Sequence, residues 1–343
     1  MKKIVVESHI PFIKGLIEPF AQVTYLEPQE FMPQAVADAD ALITRTRTQC
    51  DATLLNGSKV QFIGTATIGT DHIDLDYCSA HGITVCNAPG CNAPAVAQYV
   101  LSTIGNWLKS HGFESAEGLT LGIVGVGHVG SIVARWAAQL GFKVLLNDPP
   151  RQQAEQTVNF VDLKTVAERS DFITLHTPLC REGEFATYHL IDSDFLDNAK
   201  RCRLLINAAR GPIADNLALR EFDGDVAIDC WENEPEIDRL LLAKAFVATP
   251  HIAGYSQEGK MRGTAMAVEA LNKHFGWCIT PTLPTTPAKG CDDVDFMKIL
   301  ESYDPLADTR LLKANAQNFE SLRNHYALRH EVGFVDDFSD LSK

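Results

Sequence analysis

The stretch LTLGIVGVGHVGSIVARWAAQLGFKVLLND, Leu119 to Asp148, decides how this chain is read. It opens with an apolar run, Leu119–Val124, that suits a buried strand. Gly125, Gly127 and Gly130 follow at the spacing G-x-G-x-x-G, then a helical pattern closed by Gly141, then a second apolar run ending in Asp148. Three glycines so spaced are a weak signal alone. Set between a strand and a helix, with a second strand and an acid behind them, they are a strong one. Gly125 permits the tight turn, Gly127 lets backbone approach a pyrophosphate, and Gly130 lets helix and strand pack closely. His128 and Val129 start the helix, whose free N–H groups and dipole favour an anion. Asp148 can accept hydrogen bonds from both ribose hydroxyls and would repel a 2′-phosphate, so NAD is expected rather than NADP. Arg151 is the dissenting residue, because an arginine there could accommodate that phosphate.

The same alternation extends both ways. Before it, KIVVE, VTYL, ALIT, VQFIGTAT and GITVC read as strands, with helices such as DATLLNGSK and DHIDLDYCSAHG between them. After it, DFITLH, RLLINA, DVAIDC and FVATP read as further strands. Repeated strand–helix alternation implies parallel sheets covered on both faces, an α/β architecture. CNAPAVAQYVLSTIGNWLKSHG reads as a long helix joining two lobes, capped by Asn92, with Pro94 in its first turn and Gly112 past its end. The expected organisation is a substrate lobe of residues 1–95 with a returning helix over 256–277, and a nucleotide lobe over 96–255. TPTLPTTPAKG is a Pro-rich linker, and the tail, 278–343, holds one helical stretch, PLADTRLLKANAQNFESLRNHYALRHE. So small a segment favours packing against a partner subunit.

Composition narrows the partners. The formal net charge of −14 opposes generic binding to nucleic acid or to an anionic membrane. No apolar run approaches a membrane span, and MKKIVVESHIPF lacks a signal-peptide core. Nine cysteines without a paired framework point to reduced thiols in a cytoplasm. The nearest pair, Cys86 and Cys91, lacks metal-site spacing, so no metal is expected.

In parallel sheets, ligands collect at the carboxyl ends of the strands. Three successive strand ends carry Arg210 (LLINAARGP), Asp229 with Glu234 (VAIDCWENEP) and His251 (FVATPHIAG). An imidazole is the natural proton carrier near neutral pH. A carboxylate beside it stabilises its protonated form, and an arginine can grip a carboxylate bidentately. Together the three suit oxidation of an alcohol carbon next to a carboxylate, with a nicotinamide taking the hydride.

GIVGVGHVG, HTPL, INAARGP, DCWENEP and TPHIAGYS resemble the motifs of the D-isomer-specific 2-hydroxyacid dehydrogenases, and the resemblance spans nearly the whole chain. It implies a flavodoxin-like substrate lobe and a Rossmann NAD lobe, each a doubly wound parallel sheet. It also implies a small C-terminal α+β dimerisation domain and hence a homodimer. Arg210, Glu234 and His251 become the catalytic set. Asp148, Thr177, Ala208, Ala209, Arg210, Asp229 and Gly254 fall at the NAD site, beside Gly125, Gly127, His128, Val129 and Gly130. GTATIGTDHID, APGCNAPAVAQYV, LLNDPPR and TPHIAGYSQEGKMRGT resemble those members that act on a small phosphorylated 2-hydroxy acid. That implies Thr46, Thr67 and Tyr255 at the substrate, with Thr46 standing where serine is usual. A phosphate needs cations, and TRTRT supplies Arg45 and Arg47, which strand alternation would point to one face.

Overall fold

The computed structural model describes residues 1–155, 158–281 and 295–332. They form two compact units, Met1–Asn92 with the described part of Gln257–Pro287, and Ala93–Ser256 with the described part of Ala288–Lys343.

The first unit is built on β1 (Lys2–Glu7), β2 (Ala21–Leu26), β3 (Ala41–Thr44), β4 (Phe62–Thr65) and β5 (Thr84–Cys86). All pair in parallel, in the order β2-β1-β3-β4-β5, which is the flavodoxin-like order. β3 and β4 are buried at every residue, as strands covered on both faces must be. The helix Gln257–Phe275 buries Ala267, Val268 and Leu271 with Ile4, Val6, Ile43 and Phe62. Its approach depends on Gly263, where a Cβ would meet the Ala66 carbonyl oxygen at 2.8 Å.

One expectation fails here. β3 ends at Thr44, so Arg45 and Arg47 lie in a turn and strand alternation does not govern them. The cause is Glu7, whose Oε2 accepts hydrogen bonds from the Arg45 amide and the Thr48 hydroxyl, both at 2.8 Å, folding the chain back on β1. Arg45 is half-buried and donates Nη1 to the His9 carbonyl at 3.0 Å, while Arg47 is exposed.

The second unit carries β6 (Thr120–Val124), β7 (Lys143–Asn147), β8 (Phe172–Leu175), β9 (Leu204–Asn207), β10 (Asp225–Ile228) and β11 (Val247–Ala248). Their order is β11-β10-β9-β8-β6-β7, parallel throughout. Beyond β7, Leu146 pairs in parallel with Phe160, and the Val161 amide donates to the Leu146 carbonyl at 2.8 Å. Phe160–Val161 thus takes the third-strand place, giving the Rossmann order 3-2-1-4-5-6 with one added strand. The long helix Ala93–Ser110 is buried along most of its length, with Tyr99, Leu101, Ile104 and Trp107 in the main core. Asn92 does not cap it as expected, since its Oδ1 is buried without a hydrogen-bond partner.

The described tail is helical: Phe296–Ser302, Pro305–Ala314 and Phe319–Asn324. The single helical stretch expected there is broken at Asn315, whose φ of −134° leaves the helical region. The rest of 278–343, linker included, lies partly outside the described residues. The tail packs closely on this unit. A Cβ at Gly105 would meet the Phe296 ring at 3.0 Å, and the Ala248 amide of β11 donates to Thr309 Oγ1 at 3.0 Å. Arg329, nearly fully buried, donates to the carbonyls of Ala95 (3.1 Å), Ile252 (3.1 Å), Ala253 and Tyr255 (3.2 Å), and to Gln98 Oε1 (3.2 Å). One guanidinium therefore ties the tail to the long helix and to the loop after β11. No helix of the described residues is long and apolar enough to cross a membrane.

The glycine loop is sterically determined. A Cβ at Gly130 would sit 2.1 Å from the Gly125 carbonyl oxygen. Gly130→Ala must displace the loop and should cost about 1–3 kcal/mol of unfolding free energy, the usual range for overpacking. A urea midpoint equal to that of the wild type would contradict this contact.

Candidate active site

The loops after β9, β10 and β11 carry the three residues singled out at strand ends. Because these strands are neighbours and parallel, their carboxyl ends share one edge of the sheet. The loops also touch. A Cβ at Gly211 would lie 2.0 Å from the Trp231 carbonyl oxygen, so the backbone after Arg210 runs flush against the β10 loop. Trp231 Nε1 in turn donates to the Thr249 carbonyl at 2.9 Å, joining the β10 and β11 loops.

His251 and Glu234 meet as the sequence reading requires. His251 Nδ1 lies 2.8 Å from Glu234 Oε2 and 3.1 Å from Oε1. Oε1 also accepts the Trp231 amide at 2.8 Å, and Arg323 Nη1 stands 3.8 Å from Oε2. Burial alone would raise the Glu234 carboxyl. The His251 ring, the Trp231 amide and the Arg323 charge outweigh it and hold the carboxyl below its ordinary value. With Nδ1 committed to an ionised carboxylate, the ring carries its proton there and leaves Nε2 as an acceptor.

His251 sits at φ 57°, in the left-handed region that costs a non-glycine residue on the order of 1 kcal/mol. Asp229 enforces that conformation. Its carboxylate, 1% exposed, accepts from Thr249 Oγ1 (2.7 Å) and from the amides of Ile252 (2.7 Å) and Ala253 (3.0 Å), while its carbonyl accepts from the His251 amide at 2.9 Å. Burial pushes the Asp229 carboxyl upward. The family resemblance implies an NAD contact for Asp229; its carboxylate here holds the His251 loop.

Arg210 is half-buried, with Nη1 on the Ala209 carbonyl at 2.8 Å. The residue that shapes its turn is Asn207. Its side chain accepts the Ala209 amide at 3.2 Å and donates to the Arg210 and Gly211 carbonyls at 3.0 and 3.4 Å. Ala208 is half-buried and Ala209 buried in the same turn. Gly254 and Tyr255 follow the His251 loop, both half-buried, with the Tyr255 ring set edge-on to Tyr326 at 6.2 Å. In the first unit, Thr46 is exposed in the turn after β3. Thr67 follows β4, its hydroxyl 2.7 Å from Thr65 Oγ1 and 3.3 Å from the Gly69 carbonyl. Asn207, Thr249 and Arg323 are not singled out by the sequence. The first two stand inside the INAARGP and ATPH motifs, but nothing in the sequence connects Arg323 to the strand ends.

The glycine loop fits a dinucleotide. Gly125 turns at φ 87° and leaves no space for a Cβ, which would meet His176 and Thr177 backbone at 2.7 Å. Gly127 is the opposite, exposed, with nothing within 4 Å of the Cβ position, so a pyrophosphate can approach the backbone there. Half-buried His128 and Val129 open the helix His128–Gln139. Thr177 Oγ1 is buried without a protein partner, leaving a hydroxyl available to a bound group. Asp148 accepts the Val126 amide at 2.8 Å through Oδ2 and the Arg151 amide at 3.1 Å through Oδ1, retaining lone pairs for a ribose. Arg151 is engaged elsewhere. Its Nε and Nη2 pair with Glu155, both at 2.7 Å, and Nη1 donates to the Val126 carbonyl.

Residues 94–253 match the family model for the NAD-binding domain of D-isomer specific 2-hydroxyacid dehydrogenases. The chain belongs to the D-isomer-specific 2-hydroxyacid dehydrogenases, NAD-dependent oxidoreductases. Within that family it is 46% identical to the erythronate-4-phosphate dehydrogenase of Bacteroides fragilis YCH46, over 96% of this chain and 97% of that one. It is 43% identical to the protein of the same name from Porphyromonas gingivalis W83, over 96% and 94%. Among solved structures, the TT0316 protein of Thermus thermophilus aligns with a TM-score of 0.68 at 25% identity, over 83% of this chain and all of that one. The NAD+-bound 3-phosphoglycerate dehydrogenase of Entamoeba histolytica shares the fold, with a TM-score of 0.67 at 24% identity, over 83% and 99%.

The Arg151–Glu155 pair makes cofactor choice testable. Glu155→Ala releases Nε and Nη2 of Arg151, with Nη1 still on the Val126 carbonyl, and, with Asp148 at the ribose, should raise NADP efficiency relative to NAD by about tenfold, equal to ~1.4 kcal/mol. An unchanged ratio of kcat/KM for the two cofactors would show that Arg151 does not face the 2′ position.

Proposed function

We propose that the chain oxidises 4-phospho-D-erythronate at C2 with NAD, giving a 2-oxo acid that keeps its phosphate, in the synthesis of pyridoxal phosphate (vitamin B6). The acid–base step of this reading rests on the 2.8 Å contact between His251 Nδ1 and Glu234 Oε2, and its substrate on the 46% identity to an erythronate-4-phosphate dehydrogenase. When bound, NAD would accept the hydride leaving C2. His251 Nε2 takes the hydroxyl proton as the C2–O bond becomes a carbonyl. Glu234 stabilises the imidazolium so formed. Arg210 grips the substrate carboxylate and polarises the adjacent oxygen. Tyr255, Thr46 and Thr67 are assigned to the substrate, with Arg45 or Arg47 as cation for its phosphate. The NAD contacts are assigned to the glycine loop with Asp148, Thr177, Ala208–Arg210, Asp229 and Gly254. The described cysteines are free thiols, which suits a cytoplasmic enzyme.

Nicotinamide fluorescence tests the reading directly. Purified protein should produce NADH with 4-phosphoerythronate faster than with 3-phosphoglycerate or unphosphorylated 2-hydroxy acids. His251→Ala should lower kcat by at least about a hundredfold while NAD still binds. Equal turnover of the plain and phosphorylated acids would remove the phosphate from the assignment.

We also infer a homodimer formed through the tail. Met297 and Leu311, on two of its helices, are 62% and 49% exposed. Light scattering on the eluting protein should give twice the chain mass, and a monomer mass at micromolar concentration would refute it.

A further inference from the structure

Arg323 lies on the tail helix Phe319–Asn324, far in sequence from the strand ends, yet its guanidinium adjoins the Glu234–His251 pair. Its side chain is only 15% exposed and its Nε has no hydrogen-bond partner. Nη1 stands 3.8 Å from Glu234 Oε2 and 3.8 Å from Glu320 Oε1, longer than the 2.7–2.9 Å of a charge-assisted hydrogen bond. The guanidinium therefore acts on the pair as a nearby charge and not as a clamp.

That placement solves a problem in the proposed chemistry. Before it accepts the substrate proton, His251 must be neutral. A buried carboxylate beside a neutral ring lacks a counter-ion and tends to take the proton itself. We propose that Arg323 is a positioning residue that supplies the standing counter-charge, keeping Glu234 ionised while His251 waits as a base. Arg323 also lies within electrostatic reach of Tyr255, which follows His251 in the loop after β11. Other groups surround the pair. Asp229, at the end of β10, lies close enough to feel the His251 charge, Trp231 offers its amide to Glu234, and Cys230 lies within electrostatic reach of Glu234, Arg210 and Arg323. Glu320 faces Arg323 from the same tail helix and weakens its field.

The sign of the effect follows from charge alone. A positive guanidinium disfavours uptake of a proton by the Glu234–His251 pair, so removing it favours uptake. A proton taken up by the Glu234–His251 pair removes the base, so in this proposal that uptake sets the acid limb of the oxidation rate. Arg323→Gln should move that limb to higher pH by about one unit, the low end of the effect of a charge within 4–6 Å. Arg323→Lys should restore most of the wild-type profile. Glu320→Gln removes the opposing charge and should move the limb the other way, by less, because Glu320 is 42% exposed.

The inference rests on the dehydrogenase reading, and the experiment separates the two. Profiles of kcat against pH are recorded for wild type and the three variants with NAD and 4-phosphoerythronate. Wild-type turnover tests the reading. Opposite shifts in Arg323→Gln and Glu320→Gln, with rescue by lysine, support the inference. An active wild type whose acid limb is the same in all variants overturns it, even if Arg323→Gln loses rate. If Arg323→Gln does not fold, the Glu320→Gln profile decides: a shift to lower pH supports the counter-charge, and an unmoved limb overturns it.

Discussion

The structure of the site depends on one buried carboxylate, that of Asp229. It lies at the end of β10 and accepts three hydrogen bonds from the loop after β11, while its carbonyl receives the His251 amide. Those bonds force His251 into a left-handed backbone conformation that its own preferences oppose. With the loop so held, the ring meets Glu234 through Nδ1, which leaves Nε2 out of that contact. Replacing these bonds by water would let the loop relax to an ordinary φ and turn the ring away from its acid. The strain at His251 thus measures how strongly the surrounding hydrogen bonds determine its place.

The second constraint comes from the tail. Residues 295–332 bury Ile299, Tyr303, Leu312 and Phe319 in the cores of this unit and also support the loop after β11. Arg329 gathers the Ile252, Ala253 and Tyr255 carbonyls with that of Ala95, and Thr309 receives an amide of β11. The tail therefore braces the His251 loop through Arg329, while Arg323 places a charge near Glu234. Docking of the tail and competence of the site are consequences of the same contacts.

Much of this is legible in the sequence. The strands follow from apolar runs bounded by turn residues, and the glycine loop from its context. The Arg210, Glu234 and His251 set follows because parallel strands place successive carboxyl ends along one edge. What stays hidden depends on side-chain partners that linear order does not give. Glu232, Glu234 and Glu236 look alike in sequence. In the structure Glu232 takes His189 Nε2 at 2.7 Å and the Asn216 amide at 3.1 Å, Glu234 takes His251, and Glu236 is exposed. The Arg45–Arg47 alternation fails because Glu7 curls the chain just past β3. Arg151 reads as a dissenting cation until Glu155, one helical turn on, is found to hold it. Arg323 has no local signal, because its relevance arises only when the tail packs.

Two acids at the end of β10 show how position separates chemistry. Burial pushes the Asp229 carboxyl up, against the nearby His251 ring and the hydrogen bonds it accepts from Thr249, Ala253 and Ile252. Glu234, five residues later, meets an imidazole and a guanidinium, and these hold it down against the same desolvation. Cys230 lies between their fields, its thiol raised well above the ordinary range by burial and therefore neutral, donating to the Ala209 carbonyl at 3.3 Å. A charged residue at that position would couple to both carboxylates and to Arg210. A neutral thiol adds no further charge beside the two acids, both of which feel the His251 ring. Their hydrogen bonds divide the work: Asp229 fixes the loop, while Glu234 faces Nδ1 and can receive the charge that develops on His251.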